Sequence, residues 1–226
     1  MAQGHGSLWS NLPAILTAIG GALTALATLV GALYSAGLVG RKKKNAAASD
    51  APAPVPAAST AESPPPPLRR TPGILTAEQV KTMLVRQGIY DSRWNASAAG
   101  CEPRYATQLA GDAILVVDGE HGLTWQRAAS PNPLTFDGAE AYLHALNADD
   151  FAGVSDWRLP TLEEAGTLLA PALHAGIHLD PVFEKGASFI WTADRHPDDG
   201  VWMVYFADGQ VACERESFNA WVRAVR

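Results

Sequence analysis

From Ala14 to Gly40 the chain runs for 27 residues without a charged side chain, and no other feature restricts its fold as much. A helix of that length rises roughly 40 Å, more than the ~30 Å hydrocarbon core of a bilayer. Leu, Ile and Val are mixed with Ala, Gly and Thr, as is common in membrane helices. A domain of this size cannot enclose an all-round apolar helix so long. A cleaved signal peptide fits poorly, because no Lys or Arg precedes the stretch and it is too long. The sequence therefore predicts a short tail at 1–10 and one transmembrane helix over 11–40. Pro13 opens the helix, where a missing N–H costs little, and Trp9 and Tyr34 suit the two interfaces.

Four positive charges follow at once, Arg41-Lys42-Lys43-Lys44, whereas only the α-amino group precedes the apolar stretch. The positive-inside rule then places this juxtamembrane cluster, 41–44, and the domain after it on the cytoplasmic side of an inner membrane; an exported domain is the alternative. Residues 45–72 hold eight of the sixteen prolines, the rest being mostly Ala, Ser and Thr, so they form an extended spacer rather than a core. Residues 73–226 are left as one folded domain, with six of the seven tryptophans. From residue 71 onward there are 11 Lys/Arg against 21 Asp/Glu, a balance of −10 that repels nucleic-acid phosphates. The two cysteines, Cys101 and Cys213, make no disulfide framework and no metal spacing; they read as free thiols, or as one bridge if the domain is exported.

The membrane helix is sorted by size. Small residues recur at Ser10, Ala14, Thr17, Gly21, Thr24, Thr28, Gly31 and Ser35, while Ile19, Leu23, Leu26, Val30 and Leu33 are large. Small side chains let two helix backbones approach, and hydroxyls bond across them, so Thr17, Gly21, Thr24, Thr28, Gly31 and Ser35 form the expected helix-packing stripe. Its partners are the bilayer and a second copy or another membrane protein.

Within the domain, Thr76-Ala-Glu-Gln79 is a capping box opening a short helix that Gly88 stops. Ala113–Val117 and Leu123–Gln126 read as strands around a glycine-rich turn. Thr135 caps a helix over Asp137–Leu146, and Thr161-Leu-Glu-Glu164 opens a third, ended by Pro171. Phe189–Thr192, Val201–Phe206, Gln210–Cys213 and Trp221–Val225 read as strands, with a hairpin turn at Asp208-Gly209. Helices followed by antiparallel strands make an α+β domain.

Several short patterns also line up: Gly122-Leu-Thr-Trp-Gln126, Ala139-Glu-Ala-Tyr142, Phe151 to Glu164, Ile190-Trp-Thr192 and the terminal Trp221-Val-Arg-Ala-Val-Arg226. Together they resemble the bacterial Lcl C-terminal domain family over about residues 110–226, and Asp156-Trp-Arg-Leu-Pro-Thr-x-x-Glu164 is the most specific of them. The resemblance implies a C-type-lectin-like fold, related to that of formylglycine-generating enzymes, in proteins often secreted or surface-anchored and in some cases linked to adhesion or polysaccharide binding. Physically the motif reads as a folding element. Trp157 and Leu159 anchor a core, Arg158 lies between them, Pro160 keeps Leu159 extended, Thr161 starts the helix, and Glu164 completes its capping box.

Chemistry is sparse in this reading. There is no nucleophile elbow, P-loop or dinucleotide fingerprint, and the domain histidines are scattered. His174 and His178 stand four apart, but Pro171 and Gly176 disfavour a helix there. The calcium-lectin tripeptides are absent, and Asp194-Arg-His-Pro-Asp-Asp199 lacks calcium-loop spacing. The expectation is no catalytic residue, no metal and no cofactor. By the fold the resemblance implies, the ligand face lies in two late loops, with Asp194, Arg195, His196, Asp198 and Asp199 in one and Glu214, Glu216 and Asn219 in the other. The expected function is a membrane-tethered module recognising a protein or glycan. The alternative is a scaffold or sensor whose self-associating membrane helix is the active part.

Overall fold

The computed structural model describes residues 66–226, so the predicted transmembrane helix, its small-residue stripe, the basic cluster and most of the spacer lie outside the described residues. Among the described residues no helix is long and apolar enough to cross a membrane. They form an α+β domain of short helices and three small antiparallel sheets.

Helix α1, Ala77–Gln87, begins at the expected capping box: the Gln79 N–H donates to the Thr76 hydroxyl, and the Thr76 N–H donates to the Gln79 side chain. It ends on Gly88, whose φ of 65° closes the helix with N–H bonds back to Leu84 and Val85. The first sheet runs β1-β2-β3, with β1 at Tyr105–Ala110, β2 at Ala113–Asp118 and β3 at Leu123–Gln126. Strand β1 is an exposed edge strand with no buried residue, so it carries no alternation by which the sequence would announce it. Helix α2, Phe136–Ala148, is capped by Thr135 as expected.

The third helix is shorter than its sequence suggests. Helix α3 spans Leu162–Gly166, and the chain then becomes strand β4, Leu169–His174, paired with β5, Ile177–Leu179. The turn closes because Thr167 Oγ1 donates to the Glu164 carbonyl. Gly166 packs so closely that a Cβ there would stand 3.1 Å from Ile89 Cγ2. Pro171 therefore sits inside an irregular two-stranded ladder, not at a helix end.

The last sheet runs β6-β7-β8, with β6 at Phe189–His196, β7 at Gly200–Tyr205 and β8 at Gln210–Arg215. The predicted final strand is instead a run of single bridges: Ala220 to Leu134, Trp221 to Ile190, and Val225 to both Trp125 and Arg158. Val222, Arg223, Ala224 and Val225 are all buried, and they face different partners on each side, so no single ladder forms. This segment ties the first sheet to the third. The main core gathers Leu84, Trp125, Leu162, Ile190 and Val204, and a second cluster holds Phe136, Trp191, Met203 and Val222.

Candidate functional site

The D-W-R-L-P-T-x-x-E residues point inward. Trp157 is buried, its indole N–H donates to the Phe151 carbonyl at 3.0 Å, and Asn147 brackets its backbone with bonds of 2.8 Å on either side. Leu159 joins the second cluster. Arg158 grips Glu164 through two bonds of 2.7 Å, and Glu164 also accepts the Thr161 N–H that completes the capping box. Pro160 turns its carbonyl to the Ala193 N–H, fixing the motif to β6.

Beside this motif lies Asp194, which was expected in a loop. It is fully buried in β6. Its carboxylate accepts both guanidinium nitrogens of Arg69 (2.8 and 2.6 Å), the Gly73 N–H (2.6 Å) and the Leu162 N–H (2.7 Å). The Arg69 N–H in turn donates to Glu163, and Thr161 Oγ1 donates to the Arg69 carbonyl. Leu68 packs on the main core. The segment Leu68–Gly73, all but its last residue assigned to the spacer by composition, is thus a strap bound to the domain. Asp194 is occupied by that strap and presents nothing to a ligand.

Of the other predicted residues, all but Asn219 gather. Arg195 and His196 also belong to β6, not to a loop, and Glu214 belongs to β8. The register places Gly200 opposite both His196 and Arg215, so the β6–β7 turn and the end of β8 lie side by side at one end of the sheet. Asp198 and Asp199 are exposed there; Asn219 is exposed too, but its neighbours Phe218 and Trp221 meet Phe189 and Ile190 at the other end of β6. Arg195 and Glu216 form an ion pair, with the guanidinium 4.7 Å from the Phe136 ring centre. Tyr205 donates to Glu214 at 3.0 Å, and burial together with that carboxylate pushes the phenol pKa up. His196 stacks edge-on against Trp202 and accepts the Asp198 N–H at 3.1 Å. The result is a polar, mainly acidic rim on a rigid sheet.

A second arrangement carries chemistry that the sequence did not disclose. Asp118, at the end of β2, is fully buried, and its Oδ1 accepts the N–H groups of Glu120 (3.0 Å) and His121 (3.3 Å). Its Oδ2 accepts His121 Nδ1 at 2.6 Å. Burial works against the Asp118 charge, but the His121 contact outweighs it and holds the carboxyl below its ordinary range. Hydrogen bonds to Asp118 and then to Cys101 raise His121 to about 10. Cys101 and His121 line a cavity of ≈ 620 Å³ between the strap, the end of α1 and the β2–β3 turn. Gln87, the last residue of α1, lines it too; it is 5% exposed, and its Nε2 has no partner among the described residues. Cys213 stands elsewhere, on β8 against Gly200, and burial raises its thiol pKa. Both cysteines are free. His174 and His178 fall on β4 and β5, and His178 hydrogen-bonds the Ala170 carbonyl.

The model of the Lcl C-terminal domain family matches residues 114–226. No curated protein and no solved structure matches the chain. The matched region holds the whole D-W-R-L-P-T-x-x-E motif, the β6–β8 sheet, Asp118 and His121; Cys101, Gln87 and the strap precede it.

Proposed function

The chain belongs to the Lcl C-terminal domain family, and from that membership we propose that it is a membrane-tethered recognition module with a C-type-lectin-like domain. The ligand is a protein or a glycan, taken at the rim formed by the β6–β7 turn and the segment after β8. The observation that carries this reading is the register of β6, β7 and β8, which brings the turn with Asp198 and Asp199 beside Glu214 on one sheet end, with Glu216 held there by its ion pair to Arg195. Loops held by a rigid scaffold are where recognition concentrates. The acidic rim favours ligands rich in hydroxyls or positive charge. The tether is the apolar stretch at 14–40, and the Arg41–Lys44 cluster assigns the domain to the cytoplasmic side of an inner membrane.

Binding of the full-length chain to arrayed glycans and to cationic peptides, compared with a variant carrying Asp198→Ala and Asp199→Ala, tests the rim. These exposed positions leave stability within about 0.5 kcal/mol, so binding is expected to fall at an unchanged melting temperature. Equal binding by both proteins removes the rim from consideration. In intact cells an impermeant thiol reagent should not reach a cysteine introduced at Ser49; efficient labelling would reverse the assigned side.

A further inference from the structure

Among the described residues the sheet edges are guarded, with one exception. Strand β3 gives the N–H groups of Thr124 and Gln126 to the carbonyls of Arg226 and Ala224. Strand β6 is covered by Gly73 and Leu75, by Pro160 and by Trp221. In β8 the Val211 N–H donates to Asp91 and the Val211 carbonyl accepts from Arg93, while its far end carries Glu214 and Arg215. Strand β4 contains Pro171, and the His178 N–H of β5 donates to the Phe206 carbonyl. Covers, prolines and charges are how folded proteins keep edges from pairing. Strand β1 has none of them. Tyr105-Ala-Thr-Gln-Leu-Ala110 holds no charge and no proline, and its ladder with β2 runs without a bulge. Ala106, Thr107, Gln108 and Leu109 are all exposed, Leu109 by 73%.

The hairpin turn sets which backbone groups lie open. Gly111, with φ of 60°, and Asp112 make a two-residue turn, so Ala110 and Ala113 exchange hydrogen bonds and fix the phase of the ladder. Ala106, Gln108 and Ala110 therefore spend their backbone groups on β2. Tyr105, Thr107 and Leu109 turn theirs outward, a row of donors and acceptors spaced for one more strand. The chain's own spacer does not suit that place. Residues 45–72 hold eight of the sixteen prolines, and proline gives no N–H to a ladder.

The same strand from a second copy does suit it, and the flanking charges choose the register. Arg104 stands just before β1 and Asp112 just after it. With an antiparallel two-fold axis at Gln108, Arg104 of each copy meets Asp112 of the other, Ala106 lies opposite Ala110, and Thr107 opposite Leu109. With the axis at Thr107, Asp112 would meet Glu102 instead, carboxylate against carboxylate. Opposite charges across a strand pair stabilise it and like charges oppose it. Arg104 holds Glu120 at 2.9 Å with a side chain that is 77% exposed, so its guanidinium keeps donors for a second carboxylate.

We propose that β1 is a self-pairing edge. Two copies of this chain join β1 to β1, antiparallel about Gln108, and their first sheets become one continuous sheet in the order β3-β2-β1-β1-β2-β3. This surface is separate from the recognition rim and does not rest on it.

Disulfide cross-linking of the full-length chain tests the pairing and its register together. Gln108→Cys lies on the axis in a non-hydrogen-bonded pair, where Cα atoms stand about 4.5 Å apart and a disulfide can close. Ala106→Cys is about 13 Å from its counterpart, out of reach. Under mild oxidation Gln108→Cys should give covalent dimer at least tenfold faster than Ala106→Cys, with the link mapped to position 108 by peptide mass. Equal rates, which mere proximity of two copies would also give, overturn the proposal, and so does the absence of a link at either position. Fastest linking by Thr107→Cys moves the axis and overturns the charge-matched register. A second comparison removes the edge and spares the monomer. The Thr107 N–H points away from β2, so Thr107→Pro costs no ladder bond within one copy. Added to Gln108→Cys, it should slow cross-linking at least tenfold at an unchanged melting temperature. Should Thr107→Pro not fold, Arg104→Glu takes its place: it sets carboxylates opposite each other and should slow the link, and adding Asp112→Arg should restore it. Cross-linking indifferent to these edge variants overturns the pairing.

Discussion

His121 has two neighbours that pull its proton affinity the same way, and the consequence is a stability that depends on pH. Its folded pKa is raised to about 10 by Asp118 and Cys101, against an ordinary value of about 6.5 in the unfolded chain. A raised pKa contributes stability that is complete below the unfolded value and is lost as pH climbs through the folded one. The melting temperature of the wild-type chain should therefore fall between about pH 6.5 and pH 10, while His121→Gln, which keeps a donor for Asp118 and cannot titrate, should start lower and fall less. Parallel curves would show that His121 carries no such shift. None of this was legible in the sequence, where Gln87, Cys101, Asp118 and His121 belong to no common motif; the fold alone brings them together. Trp157 and Thr161 were legible, because the chemistry that places them is local: a proline that keeps its predecessor extended and a threonine three residues before a glutamate. Asp194 was misplaced for the opposite reason. Its partner Arg69 stands 125 residues earlier, in a stretch whose composition reads as spacer.

Elements announce themselves to the extent that their own residues decide them. The capping boxes at Thr76 and Thr161 and the Asp208-Gly209 hairpin are local and were readable; β1 was not, because an exposed edge strand has no buried face to pattern. Helix α3 was over-extended because Leu168 and Leu169 continue a helical spacing, yet both are buried beyond its end, Leu168 in the turn and Leu169 at the start of β4. In the last sheet, β7 and β8 meet without slack: a Cβ on Gly200 would come within 2.2 Å of Cys213 Sγ. Gly200→Ala should destabilise the domain by about 1–3 kcal/mol, as overpacking does. Because the obstacle is the sulfur, the double variant Gly200→Ala, Cys213→Ala should recover most of that loss in denaturant titrations. Additive losses in the double variant would place the clash in the backbone instead. Since His196 and Arg215 both pair with Gly200, the same crowding keeps the two halves of the rim in register.

At the scale of the molecule, the spacer does not simply stop where the domain begins. The strap at 68–73 is fastened by Arg69 to Asp194 and Glu163, by the Gly73 N–H to Asp194, and by Leu68 to the core. Asp194→Ala would leave Arg69, Gly73 and Leu162 without their shared acceptor, a loss of about 3 kcal/mol for a pair with one fully buried partner and one partly exposed. Trypsin should then cut after Arg69 and Arg70 well before the domain unfolds; unchanged cleavage would mean that the strap is held without Asp194. The same strap, with Pro66 and Pro67 just ahead of it, walls the Cys101 cavity through Leu68 and braces the His121 turn through Arg70. Tension along the polypeptide from its N-terminal side thus enters the domain at a residue that is also part of the cavity's wall. A pull too weak to disturb β6 is borne by the Leu68 contact and then by the Arg69–Asp194 fork, and when these yield, the wall departs with them. Mechanical load on the leash and access to the thiol are in this way one variable.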